Sequence, residues 1–208
     1  MGMDALLLSI IGDDTGLEQW TDGLVAVANE QGCPFYRATR AIFRGWVKAR
    51  NADATEGLSL LRAGSVAYCA TGATAWMPLY VALLVEACET AGLVKESVTL
   101  LHQALQIGET TGERWFAAEL DRQRGGLLLR QGHPEAAEEL YRKALSIARE
   151  QEAKLWELRA AASLARLWRD QGRRAEARDL LAPVYGWFTE GFATPDLKKA
   201  KPLLDDLE

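Results

Sequence analysis

The side chains with which this chain could bind a metal or form a covalent intermediate are His102, His133, Cys33, Cys69 and Cys88. A zinc site needs ligands at short, fixed spacings, and neither histidine has a cysteine or carboxylate at such a spacing. A catalytic thiol needs a neighbouring base, and the sequence places none beside a cysteine. We therefore expect no metal and no cofactor. The histidines are interpreted as surface or turn residues, and Cys88 as part of a packing face.

Paired carboxylates could perform general acid–base chemistry if they lay in an apolar cleft that raised a pKa. The acidic pairs of this chain instead fall on a solvated helix face, in turns or near chain ends. They are Glu138 with Glu139, Asp13 with Asp14, and Asp205 with Asp206. Gly125 and Gly126 do not form a phosphate loop, because no strand precedes them and no Lys-Ser/Thr follows. We interpret them as a point of close helix contact, and we predict no catalytic residues and no enzyme.

Turn glycines return along the chain every 40 residues. One series is Gly12, Ala52, Gly92, Gly132 and Gly172, and the other is Gly32, Gly72, Gly112 and Glu152. Glycine after a helix can take the left-handed conformation that closes the last turn. Two alternating turn series with one period indicate a repeated pair of helices.

Other positions repeat with the same period. One is always small (Gly57, Ser97, Ala137, Ala177), one is leucine (Leu60, Leu100, Leu140, Leu180), and one is aromatic (Tyr36, Trp76, Phe116, Trp156). Small residues let helix backbones approach, and large ones fill the adjoining space. We interpret the aromatic series as packing rather than as a base-stacking ladder. The predicted fold is all-α, a right-handed superhelical array of helix pairs with period 40 and a C-terminal capping helix.

The predicted helices lie near residues 3–11, 16–31, 34–50, 54–71, 75–91, 95–111, 114–131, 135–151, 155–171, 175–190 and 195–207. They are predicted to form one repeat domain over residues 1–208, with units at about 1–32 (partial), 33–72, 73–112, 113–152 and 153–192 and a cap at 193–208. The first helix looks like half of a pair, so we expect an upstream part. Pro202 is expected to kink or shorten the last helix.

The spacing also matches the tetratricopeptide repeat, with a small residue, a turn glycine, alanine, a bulky residue and alanine at Gly125, Gly132, Ala137, Tyr141 and Ala144. In such arrays the first helix of each pair lines a concave groove. The helical phase then predicts that the partner-binding residues are apolar and acidic in the N-terminal units and basic in the C-terminal units. They are Trp46, Glu86, Glu89, Arg122, Arg159, Arg166 and Arg169.

Two interpretations of the late arginines remain open. Arginine forks suit carboxylates, so an acidic segment could bind there. Alternatively, the arginines belong to a solvated charged face that is partly self-paired, Glu119 with Arg122 and Arg166 with Asp170.

Three phrases resemble the C-terminal tetratricopeptide region of large bacterial proteins that carry a class III adenylate/guanylate cyclase domain and a signalling ATPase. They are WELRAAASLARLW at 156–168, GERWFAAEL at 112–120, and the segment 172–192 that contains YGWFTEGF. The resemblance implies a sensor or scaffold end of such a protein, without its catalytic motifs. Ala193, Lys199 and Pro202 depart from the family pattern. The aromatic residues Tyr185, Trp187, Phe188 and Phe192 are expected to cover the end of the array, because terminal repeats need a cap.

The net charge of −5 offers no general basic surface, so we expect no nucleic acid partner. The apolar run from Leu6 to Ile11 is too short to span a bilayer, and the scattered cysteines fit the cytoplasm. We predict a non-catalytic protein–protein interaction or regulatory scaffold module, which binds a protein segment or upstream domains of the same polypeptide. The alternatives are a small-ligand sensor that uses the concave face and a self-association module, which would form a homo-oligomer.

Overall fold

A computed structural model describes residues 2–31, 33–51 and 53–208, without the side chains of residues 2 and 24–31. Within these ranges the chain is all helical and has no strand, as the period predicted. The helices are α1 Gly2–Ile11, α2 Asp14–Gln31, α3 Pro34–Asn51, α4 Ala54–Ala70, α5 Met77–Thr90, α6 Val94–Thr111, α7 Ala117–Arg130, α8 Pro134–Glu150, α9 Lys154–Asp170, α10 Arg174–Gly186 and α11 Pro195–Asp206.

The periodic glycines end helices in the left-handed conformation. Gly12, Gly72, Gly92, Gly112, Gly132 and Gly172 have φ between 72° and 83°. Past four of them the same closing hydrogen bond recurs, from the amides of Asp13, Leu93, His133 and Arg173 to the carbonyls of Leu8, Cys88, Leu128 and Trp168. This is the bond that satisfies an orphan carbonyl at a helix end. Gly32 and Ala52, which belong to the predicted series, lie outside the described residues.

Four helix ends differ from the predicted bounds by two residues or more. α2 begins at Asp14 rather than near 16, and the other three have the following local reasons. α5 begins at Met77 rather than near 75, because Trp76 takes a positive φ of 65° just before Pro78. α7 begins at Ala117 rather than near 114, after Phe116 with ψ near 2°. α10 ends at Gly186 rather than near 190, three residues after an internal proline that cannot donate a backbone hydrogen bond. α11, in contrast, continues through Pro202 to Asp206.

The chain divides into two compact units, residues up to Ile107 and residues from Gly108. In the first unit, α3 and α4 are in close backbone contact. A Cβ atom on Gly57 would lie 2.6 Å from the Cα of Ala49, which explains the small residue at this repeat position. α5 is buried on every side from Pro78 to Val85, and the ring of Tyr80 packs edge-on against that of Tyr68 at 5.0 Å.

On α1, Ala5, Leu6 and Ser9 are buried, whereas Met3, Leu7 and Ile11 form an exposed apolar stripe at helical spacing. The expected upstream part stays a prediction. No helix in the described ranges is both long enough and apolar enough to cross a membrane.

In the second unit, α7 packs against α8, and α9 packs against α8, α10 and α11. Tyr141 of α8 fills the space beside Gly125, where a Cβ would lie 2.6 Å from its ring. The repeat residues Ala137 and Ala177 are fully buried. α11 and the residue that follows it cover the end of this core with four buried side chains, so the predicted capping helix is confirmed. They are Leu197, Ala200, Leu203 and Leu207.

Candidate interaction surface

The helices α7 and α9 lie side by side in a fixed register in which residues one 40-residue period apart touch. The rings of Phe116 and Trp156 meet edge-on at 5.1 Å, and Arg159 Nη1 lies 3.5 Å from Glu119 Oε1. Phe116 and Trp156 are both buried, so the packing interpretation is confirmed for these two aromatic residues. We call the face that α7 and α9 present through Glu119, Arg122, Arg159, Arg166 and Arg169 the α7–α9 surface.

A buried carboxylate stands at one end of the α7–α9 surface. Glu119 is 1% exposed and accepts two hydrogen bonds from Arg122, at 2.8 Å from Nε and 2.6 Å from Nη2. Arg159 lies on its other side and also donates to Asp196 Oδ2, at 3.0 Å from Nε and 2.8 Å from Nη2. The predicted pair of Glu119 with Arg122 is therefore present as part of a larger network. Two arginines and two carboxylates balance one another there.

The charges in this network shift each other's pKa values. Burial alone would raise the pKa of Glu119, but the guanidinium groups of Arg122 and Arg159 lower it below its ordinary value. Burial opposes the charge of Arg159 as well, but Glu119 and Asp196 raise its pKa above its ordinary value. The network is thus charged in the folded protein and stabilises its own ionised form.

Arg166, two turns beyond Arg159, has a different environment. It is half-buried, and no residue of the described ranges makes a hydrogen bond or an ion pair with its side chain. Its predicted partner Asp170 instead accepts from Arg169 at 2.9 Å, so that predicted pair does not form. Burial lowers the pKa of Arg166, and the neighbouring Arg122 and Arg169 lower it further. Arg166 is a partly desolvated cation beside other cations.

Arg169 is the last predicted residue of this surface. Besides Asp170, it reaches Asp206 Oδ2 of α11 at 3.3 Å. These two carboxylates raise its pKa, with the hydrogen bond to Asp170 the main cause. Arg166 is therefore the arginine of the predicted set that the described carboxylates leave without an ion pair.

The predicted residues of the first unit form a separate group. Trp46 is 3% exposed, and its indole Nε1 donates to Glu86 Oε2 at 2.9 Å across one period. The guanidinium of Arg50 lies over the Trp46 ring at 4.4 Å from its centroid. Glu86 and Glu89 are half-buried on α5. The structure brings Trp46 and Glu86 together, but as a packed and hydrogen-bonded pair rather than as an open aromatic surface.

A second cation-rich cluster was missed by sequence reasoning. The guanidinium groups of Arg142 and Arg173 both contact the Trp168 ring, at 4.9 and 4.6 Å from its centroid. Glu138 joins both, at 2.7 Å from Arg142 and 3.1 Å from Arg173. The assignment of Glu138 to a solvated face was wrong, because its side chain is only 18% exposed. Its spacing to Arg142 predicted one contact, but the partner 35 residues away had no local signal.

Two other predicted groups take the following positions. Cys88 is buried, and burial raises the pKa of its thiol, as fits a packing residue.

Of the terminal aromatic residues, Tyr185 and Phe188 pack against the core of the second unit. Trp187 and Phe192 are 57% and 46% exposed, so the expectation that they cover the end was wrong for these two. They lie in or border the segment between α10 and α11, where Gly191 has a positive φ.

Comparison with known proteins agrees with this architecture. Residues 123–150 and 158–185 match the family described as Tetratricopeptide repeat. The fold resembles a protein described as a kinesin light chain of Podospora anserina with nearly identical TPR-like repeats, at 20% identity and a TM-score of 0.62 over 84% of this chain and 86% of that chain. It also resembles BtubC (BKLC) from P. vanneervenii, at 14% identity and a TM-score of 0.66 over 97% of this chain and 89% of that chain.

An uncharacterized protein of Rhizobium meliloti (strain 1021) is 29% identical over 127 residues, which are 61% of this chain. The chain spans only 12% of the length of that relative.

Proposed function

We propose that this chain, which contains a tetratricopeptide-repeat region, is a non-catalytic protein–protein interaction or regulatory scaffold module. Folds of this kind generally bind protein segments. We further propose that the partner segment is acidic and binds on the α7–α9 surface. The observation that supports this most directly is the positive charge of Arg166, which forms no ion pair with a described residue, where helices from successive repeats run side by side. Arginine on a rigid helix suits carboxylate recognition because its fork is already planar and charged.

The context proposed for this module is a larger signalling protein. The sequence phrases at 112–120 and 156–168 support it, as does the small share of the Rhizobium meliloti relative that the chain covers. In that setting the acidic segment belongs either to another protein or to upstream domains of the same polypeptide. We propose that the module works in the cytoplasm and has no nucleic acid partner, since its net charge is −5.

The test uses the intact chain and peptides of defined sequence. A random peptide library is selected against the immobilised chain, and enriched peptides are synthesised and measured by fluorescence anisotropy. We expect acidic peptides whose affinity falls with added salt, because partly exposed charges are screened. Hydrogen exchange should show slower exchange in 117–130 and 154–170 when the peptide is bound. Selection of no saturable peptide, or slower exchange only in α8 and α10, the second helices of these pairs, would refute the proposal.

Self-association is a second candidate, favoured by the exposed stripe of Met3, Leu7 and Ile11 on α1. Exposed apolar stripes of this kind are unusual unless another surface covers them. If a second copy does so, sedimentation equilibrium should show a dimer that Leu7→Glu dissociates. A monomer at all concentrations would exclude it.

A further inference from the structure

The α7–α9 register predicts that a glycine lies opposite Arg166. Two pairs that are 40 residues apart, Phe116 with Trp156 and Glu119 with Arg159, already touch. Continuing along both helices by two turns leads from Glu119 to Gly126 and from Arg159 to Arg166. Because both helices are continuous over this stretch, the same offset that relates Glu119 to Arg159 relates Gly126 to Arg166, and we expect Arg166 to lie on the side of α9 that faces Gly126.

The two positions differ in what α7 supplies. At the first, Glu119 provides a carboxylate to Arg159. At the second, Gly126 provides no side chain, and Arg166 makes no ion pair with any residue in the part of the chain that the structure describes. The protein itself therefore shows that a carboxylate fits between α7 and α9 in this register, and that α7 does not provide one beside Arg166.

A side chain atom can be placed on Gly126 without displacing its neighbours. A Cβ atom built on Gly126 would have the Tyr141 hydroxyl oxygen at 3.7 Å and Arg130 Nη1 at 4.0 Å as its nearest neighbours, which are ordinary contact distances. At the adjacent Gly125 the same atom would lie 2.6 Å from the Tyr141 ring. A side chain is thus excluded at the first glycine but not at the second. We call the position beside Gly126, which Tyr141 and Arg130 border and which the register relates to Arg166, the Gly126 notch.

The charge of the notch favours an anion. Arg166 is half-buried, and the positive potential of Arg122 and Arg169 outweighs the opposing contributions of Tyr141 and Asp196. A desolvated cation among like charges gains more from a carboxylate than one in open water, because the local dielectric constant is lower.

We propose that the Gly126 notch is the anchoring subsite of the module and that it binds one Asp or Glu side chain of the partner segment through Arg166. This inference rests on the proposed function, because the carboxylate comes from the segment that binds the α7–α9 surface. It adds the residue that makes the contact and explains why position 126 lacks a side chain. Arg159 and Arg122, already bound to Glu119, position the surface rather than contact the segment.

The first experiment needs no partner. Gly126→Glu supplies the carboxylate from α7 itself, in the relation that Glu119 has to Arg159. We measure unfolding in urea for Gly126→Glu, Arg166→Met and the double variant, with Gly126→Ala as a control for folding. Coupling between the two positions should change the unfolding equilibrium constant by at least about twofold, the lower end for residues in contact. Additive effects would show that Arg166 does not reach this position and would overturn the inference.

The second experiment uses a labelled acidic peptide selected against the wild-type chain. We expect Arg166→Met to weaken its binding about tenfold, as for loss of a partly buried charged hydrogen bond. Gly126→Glu should weaken it similarly by competition. Arg178→Met is the matched control, because Arg178 is exposed on α10 away from this surface. Unchanged binding by Arg166→Met, with slower exchange still present in α7 and α9, would refute the notch and leave the proposed function standing.

Discussion

At the scale of single residues, two arginines on the same helix differ in their ion pairing. Arg159 neutralises a carboxylate that is 1% exposed, whereas Arg166 has no such partner among the described residues. Removal of one member of a buried ion pair leaves the other charge uncompensated, which costs far more than the pair contributes. A triple reversal of Arg159, Arg166 and Arg169 would therefore mix loss of stability with loss of binding, and single substitutions are more informative.

The first prediction compares the two arginines. Arg159→Met should lower the free energy of unfolding by about 3 kcal/mol, because Glu119 and Asp196 lose a cation. Arg166→Met should leave it unchanged or raise it slightly, since a partly desolvated charge is removed and no described ion pair is lost. Urea denaturation of both variants measures the difference. Equal destabilisation would contradict this account of Arg166.

The second prediction concerns acid. The pKa of Glu119 is lowered in the folded protein, and a glutamate in the unfolded chain titrates at about 4.3. Its stabilising contribution is therefore complete above that value and is lost as the pH falls through the lower folded-state value. Stability between about pH 5 and pH 3 should fall less steeply in Glu119→Gln than in wild type. Glu139→Gln, an exposed change on α8, should keep the wild-type slope.

At the scale of elements, local sequence determined most of the helix ends, but one turn formed where the sequence lacks the expected glycine. Glu152 takes the place of a glycine in the second turn series and still has a positive φ of 53°. The tertiary packing of α8 and α9 therefore imposes the turn even on a residue that disfavours it. Predicted helix bounds were accurate where a glycine closes the helix. They were least accurate at Trp76, Phe116 and Pro183, where the backbone changes direction without a glycine.

The third prediction uses this turn. Glu152→Gly should raise the free energy of unfolding by about 1 kcal/mol, because a left-handed conformation costs a side-chain-bearing residue roughly that amount. Gly172→Ala is the converse change at φ 81° and should lower it. Thermal denaturation of the two variants provides the measurement. A loss of stability in Glu152→Gly would mean that the Glu152 side chain contributes more than its strain costs.

At the scale of the whole molecule, the single repeat domain over residues 1–208 stays a prediction, since the structure consists of two compact units. In a continuous array each repeat is stabilised by its neighbours, so a substitution that destabilises one repeat also lowers the stability of the repeats beside it. The period in the sequence favours this interpretation because it runs through both units without a change of spacing.

The fourth prediction tests that continuity. Gly57→Ala should destabilise the first unit by about 1 to 3 kcal/mol, because its Cβ would overlap the backbone at Ala49. In one array, hydrogen exchange in urea should then accelerate in residues 154–170 as well as in 34–70. Gly23→Ala, where a Cβ meets nothing within 4 Å, should accelerate neither. Acceleration confined to 34–70 would show two independent domains.

The sequence alone determined the helices, the period, the turn glycines and the alignment of Arg159, Arg166 and Arg169 on one helix face, because these depend on local backbone preferences and a 3.6-residue repeat. It also identified the pairing of Glu119 with Arg122, which lies within one turn. Only the tertiary structure decided that Asp196 would bind Arg159, that Glu138 would join Arg173, and that Arg166 would have no ion pair among the described residues. Those outcomes depend on which carboxylates a neighbouring helix brings within about 4 Å, and chain spacing does not encode that distance.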